Sequence, residues 1–172
     1  ATADEARVID PTLLTVQQDA ELTSLISEDG LIVYDFKGSI HALRARGWEL
    51  GDPCCDLLLA AYLVNSEHRG YRLSQLFSRY LGIDEEEKKN ETTLFDMGIT
   101  EERAHELGMA AGRMHPLAAI LMSKLEESEQ TRLLEQMELP IARLLAQMEH
   151  HGIGVDEEFL RSLSHELASD VE

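Results

Sequence analysis

Cysteine is almost missing from this chain. Cys54 and Cys55 are its only two, and they are neighbours. Disulfide geometry wants Cα atoms further apart than adjacent residues usually place them. Two thiols without spaced partners make neither a disulfide framework nor a zinc site. An apolar segment follows them, so we expect reduced thiols in a core, as suits a cytoplasmic protein. Basic residues are also scarce: 15 Lys and Arg stand against 33 Asp and Glu, for a net charge of −18. DNA binding relies on Lys and Arg displacing counterions from phosphates. Here Arg44 and Arg46 lie close together, and Lys88 and Lys89 sit among acids. The balance argues for weak DNA binding or none by the chain itself. The acidity reads as a solvated face of a soluble module, with a cation-binding or DNA-mimicking surface as the functional alternative.

Long apolar runs are absent as well. None approaches the roughly 18 residues of a membrane span, and ATADEARVID at the start lacks the basic-then-apolar order of a signal peptide. There is no Gly-rich phosphate loop, no Gly-x-Ser-x-Gly, no His-Glu-x-x-His and no spaced Cys pair. The seven histidines are scattered. His150-His151 falls at a helix end, where the dipole favours a cation. His41, His68, His105, His115 and His165 show no ligand spacing.

What remains is a chain of 172 residues, long enough for one domain or one plus a fragment. Arg7 to Asp10 reads as a short strand ended by Pro11. Thr15 and Gln18 form a capping box, and Leu22, Leu25 and Ile26 form the stripe of the helix behind it. Leu31 to Tyr34 reads as a buried strand. A helix follows over Lys37 to Arg46, stopped by Gly47. Asp52-Pro53 reads as a helix start, and the run CCDLLLAAYLV behind it should be the most buried helix. Tyr71 to Tyr80 gives another, with Leu73, Leu76, Phe77 and Leu81 on one face. The charged stretch Asp84 to Glu91 reads as a mobile, solvated loop rather than a metal site. Thr100 caps the next helix, with Glu101 and Glu102 at its positive end. Pro116 should break or kink that helix, and Leu117 to Leu125 continue it.

The C-terminal third carries the most specific order. Leu134, Met137, Ile141, Leu144, Leu145 and Met148 recur at helical spacing and read as core, methionines included. Pro140 should kink or restart this helix. Gly152 ends it. Asp156 caps a last helix, with Val155 and Leu160 placed as a hydrophobic staple.

Two stretches carry a resemblance. Cys55 to Gly82 (CDLLLAAYLVNSEHRGYRLSQLFSRYLG) resembles a segment of the 3′→5′ exonuclease domain of the family A DNA polymerases, the bacterial DNA polymerase I group. Leu134 to Leu160 (LEQMELPIARLLAQMEHHGIGVDEEFL) resembles the entry from that domain into the polymerase domain. A weaker match between Leu31 and Trp48 extends the resemblance over most of the chain. It implies a helix-rich α/β fold: residues 1–130 as a partial, ribonuclease H-like exonuclease domain, and residues 131–172 as the first helices of the polymerase domain. It also implies that upstream residues carry the first strands of the sheet.

Exonucleases of this kind hold two divalent metals on a few carboxylates. Three motifs supply them, and each departs here. Asp-x-Glu on the first strand has no counterpart: Asp19-x-Glu21, Asp84-x-Glu86 and Asp156-x-Glu158 fall in helical or loop patterns. The Asn-Leu-Lys-Tyr-Asp motif aligns with Asp35-Phe36-Lys37-Gly38-Ser39, which puts Ser39 at the ligand position. A neutral hydroxyl is a poor ligand for a hard cation. Tyr-x-x-x-Asp is missing from Leu107 to Ala118 (LGMAAGRMHPLA), which has no Tyr, Asp or Glu. The resemblance therefore implies a vestigial exonuclease domain, with Asp35 and Ser39 as relic positions and no catalytic or metal-binding residue. The polymerase carboxylates would lie past Glu172, so this segment should neither polymerise nor proofread. The parent polymerase would need Mg²⁺, this segment no cofactor. Its partners would be the rest of the polymerase chain and, through the parent, DNA in replication and repair. Two other readings stand beside it. One is an active metal-dependent exonuclease using Asp35 and Asp56. The other is an acidic helical protein-interaction module.

Overall fold

The computed structural model describes residues 5–84 and 100–171, with the side chains of 169–171 left aside. The stretch DEEEKKNE lies outside the described residues, save for Asp84 at its edge.

Residues 5–10 form no strand. Asp10 instead caps a single 3₁₀ turn, Pro11–Leu13, by accepting the Thr12 N–H. Helix α1 spans Val16–Ile26, and Thr15 and Gln18 make the expected reciprocal capping box. It buries no residue fully, and Leu25 faces solvent. Strand β1 (Leu31–Val33) leads into helix α2 (Phe36–Arg44). A tight turn back from α2 brings in strand β2, Pro53–Asp56, parallel to β1. The pair is the whole sheet among the described residues. Gly51 is required on the way: its N–H bonds the Ile26 carbonyl, and a Cβ there would stand 2.2 Å from the Glu28 oxygen.

Asp52-Pro53 therefore opens a strand, not a helix. Helix α3 starts four residues later and spans Leu57–Val64, capped by Asp56. Two Asp signals compete in this stretch, and the parallel pairing with β1 decides between them. The register skips Cys54: Leu31 faces Pro53 and Ile32 faces Cys55. Alternation along a strand then sends the two thiols to opposite sides. Cys55 is buried as expected, but Cys54 is exposed, which corrects the reading of both as core.

Helix α4 (Leu73–Leu76) widens into a π-type turn over Phe77–Leu81. Helix α5 (Glu101–Glu127) is capped by Thr100 and runs unbroken through Pro116. Pro116 lies on the exposed side, where a gap in the hydrogen-bond ladder faces water. Next to it Leu117, Ala118, Leu121 and Leu125 pack inward and outweigh the local propensity. Burying each leucine contributes about 1.5–3 kcal/mol before entropy is counted. Small Ala60 and Ala61 on α3 are fully buried and let α5 approach closely.

Helix α6 (Thr131–Leu133) passes through a second π-type turn, Leu134–Glu138, into helix α7 (Leu139–His151). The wide turn comes just ahead of Pro140, so the restart expected there takes this form. The buried face of α7 is Leu139, Ala142 and Ala146. Met137, Ile141, Leu144, Leu145 and Met148 are exposed, which corrects their reading as core. The apolar spacing marks a stripe but not which stripe finds a partner. Gly152, at φ 68°, ends the helix as expected. Asp156 caps helix α8 (Glu157–Val171) through the Phe159 N–H. Val155 and Leu160 are both largely exposed.

Phe36, Cys55, Leu57, Leu76, Phe77, Leu117, Leu121, Leu125, Leu134 and Leu139 belong to one core. The residues on either side of position 130 therefore share it. Among the described residues no helix is long and apolar enough to cross a membrane.

Candidate functional site

In open parallel sheets, ligands bind beyond the carboxyl ends of the strands. Here β1 runs out at Tyr34-Asp35 and β2 at Asp56, so the two candidate carboxylates meet at that edge. Each strand hands its last carboxylate to the helix that follows. Asp35 caps α2, its Oδ1 accepting the Gly38 N–H at 3.0 Å. Asp56 caps α3, its Oδ1 accepting the Leu58 N–H at 2.9 Å.

Asp56 also reaches across the edge. Its Oδ1 accepts the Asp35 N–H at 3.1 Å, and its Oδ2 accepts the Phe36 N–H at 2.9 Å. The side chain is buried, with 2% of the residue exposed. Burial pushes its pKa up, and the backbone N–H groups of Phe36, Leu58, Asp35 and Leu59 pull it back only in part. Its neighbour Cys55 is pushed up to about 12, chiefly by burial, then by Cys54 and Asp56.

Asp35 sits at φ 58°, in the left-handed region that Asp tolerates better than most residues. The conformation turns the chain sharply from β1 into α2. Gly38 makes room for the cap: a Cβ there would stand 2.3 Å from Oδ2 of Asp35. Ser39 does not face a metal-binding cluster. Its hydroxyl donates to the Tyr34 carbonyl at 3.4 Å. The Tyr34 hydroxyl in turn donates to the Tyr71 carbonyl at 3.1 Å. The Tyr34 pKa is raised by burial, then by Asp35 and Asp56.

Other carboxylates have partners of their own where the structure describes them. Asp19 and Glu21 lie on α1, where Asp19 accepts the Trp48 indole N–H at 3.4 Å and Glu21 accepts from Gln17. Asp156 caps α8, and Glu86 lies outside the described residues. Among the described residues no group of three or more His, Cys, Asp or Glu side chains could hold a metal ion.

The sequence offers Asp56 as a possible ligand but does not show its tie to Phe36, because Asp52-Pro53 reads as a helix start. An Asp placed just before LLLAAYLV is the available signal. Nor does the sequence single out Arg143 on α7. This side chain lies over the Phe36 ring, 5.0 Å from the centroid, and donates to Asp52 Oδ1 at 2.6 Å and the Leu50 carbonyl at 2.9 Å. Further along the same seam Glu149 accepts from Lys37 and lies 2.8 Å from His41 Nε2. Lys37 and then His41 lower the Glu149 pKa.

No protein-family model matches the chain. Individual proteins do. DNA polymerase I of Mycobacterium tuberculosis is 32% identical over 178 aligned residues, which cover 99% of this chain. DNA polymerase I of Bacillus subtilis is 29% identical over 80% of it. A solved structure, the POL domain of Pol1 from M. smegmatis in complex with DNA primer-template and dNTP, superposes with a TM-score of 0.80 at 32% identity. It covers 94% of this chain and 26% of its own. The chain is thus a helix-rich α/β segment that resembles part of bacterial DNA polymerase I in sequence and structure. It is homologous to a stretch of bacterial DNA polymerase I, and it spans 20% of the length of the mycobacterial relatives.

Proposed function

We propose that this chain is the exonuclease-like segment of a bacterial DNA polymerase I, joined to the first polymerase helices, and that it works as a scaffold rather than a nuclease. Residues 1–130 form the degenerate, ribonuclease H-like part and residues 131–172 the junction. The observation that carries this reading is the engagement of Asp56. A metal-binding carboxylate must offer free lone pairs to the ion. This one is buried, and the backbone of Asp35, Phe36 and Leu58 occupies it. Asp35 is likewise engaged as a cap, and Ser39 stands where the related motif has its ligand.

The scaffold role draws support from the junction. The chain turns at Ser128–Gln130, with Glu129 at φ 58°, yet Leu134 and Leu139 beyond that turn lie in the same core as Leu117 and Leu121. A shared core holds the two parts as one body. In this reading the stripe of Met137, Ile141, Leu144 and Met148 faces the rest of the polymerase chain. DNA contact and Mg²⁺ chemistry belong to that parent enzyme, in replication and repair in the cytoplasm.

The test is a 3′→5′ exonuclease assay on end-labelled single-stranded DNA with Mg²⁺ or Mn²⁺. It uses this chain and a longer polymerase that contains it. Neither should shorten the strand. Metal-dependent shortening by the longer protein, abolished by Asp35→Asn or Asp56→Asn, would overturn the reading in favour of an active exonuclease.

A further inference from the structure

We propose that Arg143 is the positioning residue that fixes the angle of α7 against the strand edge. This rests on the scaffold reading and names the contact through which the α/β part orients the junction helices.

The geometry forms one connected strut. Asp56 Oδ2 holds the Phe36 N–H at 2.9 Å, so the first residue of α2 is tied to the end of β2. Phe36 is fully buried and presents its ring to α7. The Arg143 guanidinium lies over that ring at 5.0 Å. From there it donates through Nε to Asp52 and through a terminal nitrogen to the Leu50 carbonyl. Asp52 and Leu50 lie on the approach to β2. One side chain thus grips α2 and the β2 approach at once.

A planar guanidinium suits this task. It can stack on a ring while its N–H groups point outward in a fixed fork. A lysine ammonium has no such plane and cannot reproduce both parts. A second polar contact across the seam, Lys37 and His41 with Glu149, joins side chains that are each more than a third exposed. Exposed pairs of that kind hold geometry weakly. Arg143 is the less exposed, and its Leu50 bond is to backbone, which cannot swing away.

The experiment measures the distance between spin labels in the full chain with Cys54→Ser. The labels sit at Ser66→Cys, after α3, and at Gln147→Cys on α7, both exposed. Arg143→Ala should displace or broaden the distance distribution, with far-UV circular dichroism unchanged. Arg143→Lys should restore it only in part. Glu149→Gln should leave it in place. An Arg143→Ala distribution that superposes on the parent overturns the proposal, as does a Glu149→Gln change of equal size. If Arg143→Ala does not fold, Asp52→Ala gives the reading, since Asp52 is exposed and its side chain accepts one bond of the strut. No displacement there is the overturning result. The distances do not depend on any nuclease activity, so failure of the strut and failure of the scaffold reading are separately visible.

Discussion

The Oδ2 atom of Asp56 accepts the backbone N–H of Phe36 at 2.9 Å, across 20 residues of sequence. The bond joins the end of one parallel strand to the first helical residue after the other. The Asp56 carboxylate thereby closes the backbone of the fold. Replacing it tests that assignment. Asp56→Asn keeps the size but presents an amide N–H to one of the backbone N–H groups now served by oxygen. A buried donor left without an acceptor costs about 1–3 kcal/mol. Urea unfolding should show a loss of that order. A variant as stable as the parent would contradict the structural role.

The pH dependence of the same residue has a definite sign. Burial raises the Asp56 pKa above its unfolded value. The folded state therefore holds this proton more tightly than the unfolded state. The stability contributed in this way is fully present below the unfolded pKa and fades as pH rises through the folded one. The gap in unfolding free energy between parent and Asp56→Asn should be wider in acid, at about pH 4, than near neutrality. Glu149 acts in the opposite direction, since its pKa is lowered by Lys37 and His41. The comparison therefore belongs in a Glu149→Gln background.

The two thiols should behave differently. Cys54 is exposed at the skipped position of the register, while Cys55 is buried and pushed up to about 12. Thiolate is the reactive form. A thiol reagent added to the folded chain should modify Cys54 alone, and denaturant should release Cys55. Simultaneous reaction of both in the folded chain would argue against the bulged register.

Truncations along the helices should separate core from surface. Leu121 is fully buried on α5, so Leu121→Ala should cost about 2–5 kcal/mol. Met148 is 59% exposed on α7, and Met148→Ala should stay within about 0.5 kcal/mol in this chain. Denaturant midpoints of the two variants give the answer. A large loss at Met148 would return the methionine stripe to the core.

Much of the local structure was legible in the residues. The capping box of Thr15 and Gln18, the cap at Thr100, the stop at Gly152 and the start at Asp156 each depend on bonds within a few residues, so spacing suffices to find them. The strand at Leu31 announced itself by its apolar run. The one at Pro53–Asp56 did not, because PCCD has no β-branched or aromatic residue and becomes a strand only by pairing with β1. Asp35 and Ser39 could be picked out by their motif, but their hydrogen bonds to Gly38 and Tyr34 could not.

The sequence by itself determined the caps at Thr15, Thr100 and Asp156 and the stop at Gly152, and that Ser39 is not a carboxylate. Both follow from residue identity and short-range spacing. Tertiary structure alone decided which face of α7 is buried, which cysteine is hidden, and what Asp56 binds. Each depends on what lies opposite after the chain has closed on itself. The buried set Leu139, Ala142 and Ala146 is no more apolar than the exposed stripe of Ile141, Leu144 and Met148. It is buried because α2 and the β2 approach stand against it, with Arg143 stacked on Phe36 to hold them there.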